Sequence, residues 1–60
     1  MKHYLFIENI SGDEFLVEAE NYDVAWSVAE ALWDDGLETD LEYCYEMSDF
    51  EARMSGLYEY

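Results

Sequence analysis

Lys2 to Ile10 reads KHYLFIENI and Glu14 to Glu20 reads EFLVEAE, with Ser11-Gly12-Asp13 between them. Both runs are rich in β-branched and aromatic residues, and a three-residue loop holding a glycine, which adopts positive φ without steric cost, predicts an antiparallel hairpin. That loop length sets Ile7 opposite Val17 and Leu5 opposite Ala19, which gathers Leu5, Ile7, Phe15, Val17 and Ala19 on one face. The other face then carries Tyr4, Phe6, Glu8, Leu16, Glu18 and Glu20.

Downstream, Asn21 is a good N-cap for a helix over residues 22–35. Val24, Ala25, Val28, Ala29, Leu32 and Trp33 recur there at helical spacing, and Gly36 supplies a left-handed C-cap. Asp34 and Asp35 stand at the end of that helix, where its dipole disfavours negative charge. Leu41 to Met47 alternates Leu41, Tyr43, Tyr45 and Met47 against Glu42, Cys44 and Glu46, the period of a half-buried third strand. Ser48 with Glu51 is a capping-box signature, so residues 49–55 form a short helix or single turn closed by Gly56. The closing Leu57-Tyr58-Glu59-Tyr60 fits no single element.

The expected fold class is α+β: a ββαβ chain with a three-stranded, mainly antiparallel sheet, one helix packed on one face, and a short C-terminal helical turn. With Tyr43 and Tyr45 directed at the helix, the open face displays Glu8, Glu18, Glu20, Glu42 and Glu46 among Tyr4, Phe6, Leu16 and Cys44. Carboxylates two apart on a strand lie about 6.6 Å apart and neighbouring strands about 4.8 Å apart. Those spacings resemble the distances between successive phosphates.

Sixty residues imply one domain spanning 1–60, and a chain of this length buries only about 60% of its unfolded surface. An apolar fraction of 52% and an aromatic fraction of 18% are nevertheless too high for a disordered acidic tail. Sixteen acidic residues against Lys2 and Arg53 leave a net charge of −14, which works against compaction. A sphere of sixty residues is roughly 27 Å across, and that length of duplex carries about 16 phosphates. The two charge densities match.

A single cysteine, Cys44, excludes an intrachain disulfide and points to a reducing, cytoplasmic setting. No basic segment precedes an apolar one as in a signal peptide, and no apolar run approaches the length that spans a bilayer. The acidity also repels anionic lipid. Catalysis needs a nucleophile with a base, a metal, or carboxylates of opposed pKa in a dry pocket. His3 is a lone histidine near a strand start and Cys44 has no basic neighbour in sequence, so neither predicts an enzyme. The run from Asp34 to Asp40 lacks the EF-hand spacing, so no metal or other cofactor is expected. Trp33 reads as core. Trp26 falls at the border of the apolar stripe, where a tryptophan either packs or anchors a partner.

In charge, length and acidic sheet face the chain resembles the small acidic phage proteins that mimic nucleic acid, anti-CRISPR proteins in particular. The closing stretch Ser48-Asp49-Phe50-Glu51-Ala52 through Gly56-Leu57-Tyr58 is also similar to the ends of short phage and mobile-element proteins. The resemblance covers the whole chain in global properties and rests on no diagnostic motif. It implies an inhibitor in a bacterial cytoplasm, a monomer or small homo-oligomer, that blocks DNA binding by a CRISPR effector. The charge itself points to a basic nucleic-acid-binding protein as partner, with no direct contact to nucleic acid or membrane. Two acidic patches are candidates for that contact: Glu8, Glu18, Glu20, Glu42 and Glu46 on the sheet, and Asp34, Asp35, Glu38 and Asp40 beside the helix end. The alternative is a small regulatory module that binds a basic host protein without competing with nucleic acid.

Overall fold

The computed structural model describes residues 1–32 and 39–60. Strand β1 (Lys2–Glu8), strand β2 (Asp13–Ala19), helix α1 (Tyr22–Leu32), strand β3 (Leu41–Met47) and helix α2 (Asp49–Ser55) follow in that order. The sheet runs β2-β1-β3 with both pairs antiparallel. This is the expected ββαβ architecture with a short C-terminal helix. Asn21 caps α1, its side chain accepting from the Val24 N–H at 3.0 Å. Ser48 and Glu51 form the capping box of α2, which Gly56 ends at φ 75°. The end of the expected helix, with Trp33 and the Gly36 cap, lies outside the described residues.

The hairpin register differs from the expected one. Leu5 stands opposite Leu16, Phe6 opposite Phe15 and Ile7 opposite Glu14, because the strands end at Glu8 and Asp13 and leave a four-residue loop, Asn9 to Gly12. The Gly12 N–H donates to the Glu8 carbonyl at 2.8 Å, and Gly12 sits at φ 79°, so the glycine ends the turn instead of centring it. A shift of three positions is odd, so it exchanges the facing of one strand against the other. Tyr4 and Phe6 therefore join Phe15, Val17 and Ala19 on one face, beneath α1.

That face is an aromatic core. Phe6 is fully buried, with ring centroids 5.9 Å from Phe15, 5.0 Å from Trp26 and 5.7 Å from Tyr43. Such pairs contribute about 0.5–1.5 kcal/mol each beyond the area they bury. The small side chains of Ala25 and Ala29 let α1 come close, which turns Val24 and Leu32 toward solvent and draws Trp26 into the core. Trp26 is thus a packing residue and not an exposed anchor.

The opposite sheet face is not open as expected. Ala52 of α2 and Leu57 pack on Leu5, Leu16 and Met47 there. The facing of β3 changes partway, since the register slips between Leu5, opposite Tyr45, and Phe6, opposite Tyr43. Cys44 is the extra residue of this bulge. Tyr43 consequently packs beneath α1 with Tyr4, Phe6 and Tyr22, whereas Tyr45 emerges on the α2 side, half exposed.

The last residues add a short parallel pairing to the outer edge of β2. Leu16 donates its N–H to Tyr58 and accepts from the Tyr60 N–H, both at 2.8 Å, and Glu18 donates to Tyr60 at 3.0 Å.

Glu8, expected on an exposed acidic face, is only 2% exposed. Its carboxylate accepts the Ser11 N–H and the Asp40 N–H, each at 2.7 Å, and those bonds, Asp40's first, hold its pKa below the ordinary 4.5. A lowered folded pKa contributes stability that is present above the unfolded value and lost as pH falls through the folded one. The stability gap between the native chain and Glu8→Gln should therefore be level at neutral pH and close on acidification, as read by denaturant melts across pH. Phe6→Ala should cost about 3–5 kcal/mol, a large share of the roughly 3–9 kcal/mol available to a domain of this size.

Candidate functional site

Of the thirteen acidic residues described, twelve are exposed and Glu8 alone is buried. Neither Lys2 nor Arg53 forms a salt bridge among the described residues, and His3 pairs only with Asp49 and Glu59, so the other described surface carboxylates have no basic side chain paired with them. This follows from composition, since two cations cannot neutralise sixteen acids.

The structure redistributes the expected binding residues. Glu18 and Glu42 share the α2 side of the sheet, opposite His3 and Ile7. Glu46 stands opposite Tyr4 and so on the α1 side, because the Cys44 bulge separates it from Glu42. Glu20 is exposed just past β2, and Asp40 is exposed just before β3, where its carbonyl accepts the Asn9 N–H at 2.9 Å. Asp34, Asp35 and Glu38 lie outside the described residues. Glu8 belongs to the interior.

One acid gains a place that the sequence pattern did not give it. Glu14 and Glu42 flank Ile7 from its two neighbouring strands, which puts their backbones about 10 Å apart. Both charges reach Cys44, an exposed residue whose thiol is pushed up first by partial desolvation against its neighbours and then by Glu42 and Glu14. That thiol is held protonated and is a poor nucleophile.

A second cluster forms at the other end of the same face, around His3. The pleat of β1 turns this residue toward α2, leaving it 8% exposed. Its Nε2 lies 2.6 Å from Asp49 Oδ1 in the first turn of α2, and its Nδ1 contacts the Glu59 carboxylate on the paired tail. The imidazole pKa is raised from 6.5, first by the bond to Glu59 and then by that to Asp49, with burial opposing both. Its charged form thus ties β1 to α2 and to the tail. The partners are 46 and 56 residues away in the chain, so no local pattern reveals them.

Glu18 completes the cluster. Donor atoms of His3, Glu18 and Glu59 lie within 4.8 Å of one another, the one mixed nitrogen and oxygen set among the described residues close enough to hold a cation. They border a pocket of about 430 Å³ that Asp49, Ala52, Arg53 and Leu57 also line. No helix among the described residues is long and apolar enough to cross a membrane.

No protein-family model, curated protein or solved structure matches this chain.

Unpaired carboxylates spread over so small a body repel one another, and salt should relieve this. Raising NaCl at pH 7 from about 0.1 M to about 1 M shortens the screening length from about 10 Å to about 3 Å. Melting temperature should rise, by about 4–8 °C for each kcal/mol of repulsion removed. A melting temperature indifferent to salt would mean that the acids are offset by something other than Lys2 and Arg53.

Proposed function

We propose that this chain is an acidic nucleic-acid mimic, an inhibitor that occupies the Lys- and Arg-lined nucleic-acid-binding surface of a partner protein. The observation behind this reading is the set of exposed carboxylates, of which only Asp49 and Glu59 have a basic partner among the described residues, on a body measuring 34 × 21 × 15 Å, with a net charge of −14. A duplex 34 Å long carries about 20 phosphates, and one of its strands about 10. The chain falls between the two. Carboxylates on both sheet sides suit a groove that wraps its ligand better than a flat basic patch. The resemblance to anti-CRISPR proteins puts the DNA-binding channel of a CRISPR effector first among such grooves.

A second reading, the regulatory module that does not compete with nucleic acid, has one observation in its favour. Phe50 and Met54, four residues apart on α2, are 71% and 69% exposed and offer an apolar anchor that a phosphate backbone lacks.

Competition separates the two. A mobility shift of DNA or RNA on the partner isolated by low-salt capture should be reversed by increasing amounts of this protein. Affinity should fall steeply with salt. Replacing Glu14, Glu20, Glu42 and Glu46 together by Gln should weaken inhibition about 4-fold or more, since each exposed charge contact contributes about 0.2–1 kcal/mol. Phe50→Ala with Met54→Ala should leave it nearly unchanged. Simultaneous binding of nucleic acid and this protein, or the reverse ranking of the two variants, would overturn mimicry in favour of the second reading.

A further inference from the structure

We infer that His3, Glu18 and Glu59 form a binding site for a first-row divalent transition-metal ion, Zn²⁺ being the one their donors suit best. A neutral ring has one N–H, yet both ring nitrogens of His3 face carboxylates. Without an ion the charged ring donates to both carboxylates; with one, the ring releases its Nδ1 proton and the metal takes that place. In the second arrangement Nε2–H donates to Asp49, and a carboxylate on the far nitrogen is what orients metal-bound histidines in general.

Glu18 favours the cation. It stands opposite His3 on β2, and its carboxylate shares the cluster with that of Glu59. Among the described residues Glu18 makes no salt bridge. Three carboxylates thus gather at one imidazole, and even with the imidazolium charge and Arg53 on the pocket wall the group stays net negative. Once the Glu59 carboxylate withdraws from its direct contact with Nδ1 to the roughly 3.3 Å that two metal bonds of about 2.0–2.2 Å span, a divalent ion between Nδ1, Glu18 and Glu59 would satisfy all three donors and leave Asp49 its hydrogen bond.

The donor set selects the ion. One nitrogen with carboxylate oxygens suits Zn²⁺, whereas Ca²⁺ and Mg²⁺ prefer oxygen alone. Three protein ligands leave a fourth tetrahedral position, and the adjoining pocket of about 430 Å³ has room for a water there. The ligands come from β1, β2 and the C-terminal tail, so the ion would fasten the tail to the sheet.

The −14 charge attracts cations everywhere, so the test must separate one site from a diffuse atmosphere. Zn²⁺ is titrated calorimetrically into the metal-free chain in about 0.15 M NaCl, where the screening length is about 8 Å, with melting temperature measured in parallel. One equivalent should bind and raise the melting temperature. Glu18→Gln, which leaves both His3 contacts in place, should lower the affinity about 10-fold or more, as should His3→Gln and Glu59→Gln. Asp49→Asn should lower it about 10- to 100-fold through ring orientation. Glu42→Gln, on the same face away from the cluster, should bind as the native chain does. Several equivalents bound with an affinity that Glu18→Gln does not alter, or Ca²⁺ bound as tightly as Zn²⁺, would overturn the assignment.

Discussion

Glu8 ends the central strand with its two carboxylate oxygens turned to different parts of the chain, one to the Ser11 N–H in the hairpin loop and one to the Asp40 N–H before β3. A charged acceptor makes stronger bonds to backbone N–H than a neutral one. Both neighbours of β1 are thereby fixed at the same end. The loop is set to four residues, which decides the register of β2, and β3 starts opposite Glu8, which decides its alignment. The aromatic core follows from that register, since only this pairing brings Phe6 against Phe15 with Trp26 above them. In a chain of sixteen acids, one carboxylate has been withdrawn from the surface and made part of the framework.

Element positions were legible because their signals are local: alternation in Leu41 to Met47, the capping box at Ser48 and Glu51, Gly56 as a C-cap. The facing of the strands was not. It turned on whether the loop held three residues or four, and the extra residue belongs to a bond made by the Glu8 side chain with its own turn. The bulge at Cys44 is similarly invisible, because it reconciles Tyr43 under α1 with Tyr45 and Met47 on the far side. The expected row of five sheet acids was therefore divided between two faces and the interior. The density of charge was readable from composition, whereas its arrangement depended on two one-residue decisions.

His3 shows the complementary limit. Flanked by Lys2 and Tyr4 it looked unremarkable, and its significance comes from Asp49 and Glu59, which reach it only once α2 has crossed the sheet and the tail has paired with β2. The acidic surface and this cluster overlap, since Glu18, Asp49 and Glu59 are themselves exposed. They differ in construction, because the surface is spread out and sensitive to screening, while the cluster gathers contacts distant in sequence about one buried imidazole.

The pairing of the tail with β2 also bears on how copies of this protein meet. A sheet edge carries unpaired N–H and C=O groups that invite another chain, and here the tail occupies that edge along Leu16 to Glu18. The remaining edge is β3, which bears Glu42 and Glu46 and is kinked by the Cys44 bulge. Two molecules joined there about a twofold axis would bring these carboxylates against their own copies. The charge that we propose suits the chain to a basic partner therefore also opposes edge-to-edge joining of two copies at β3.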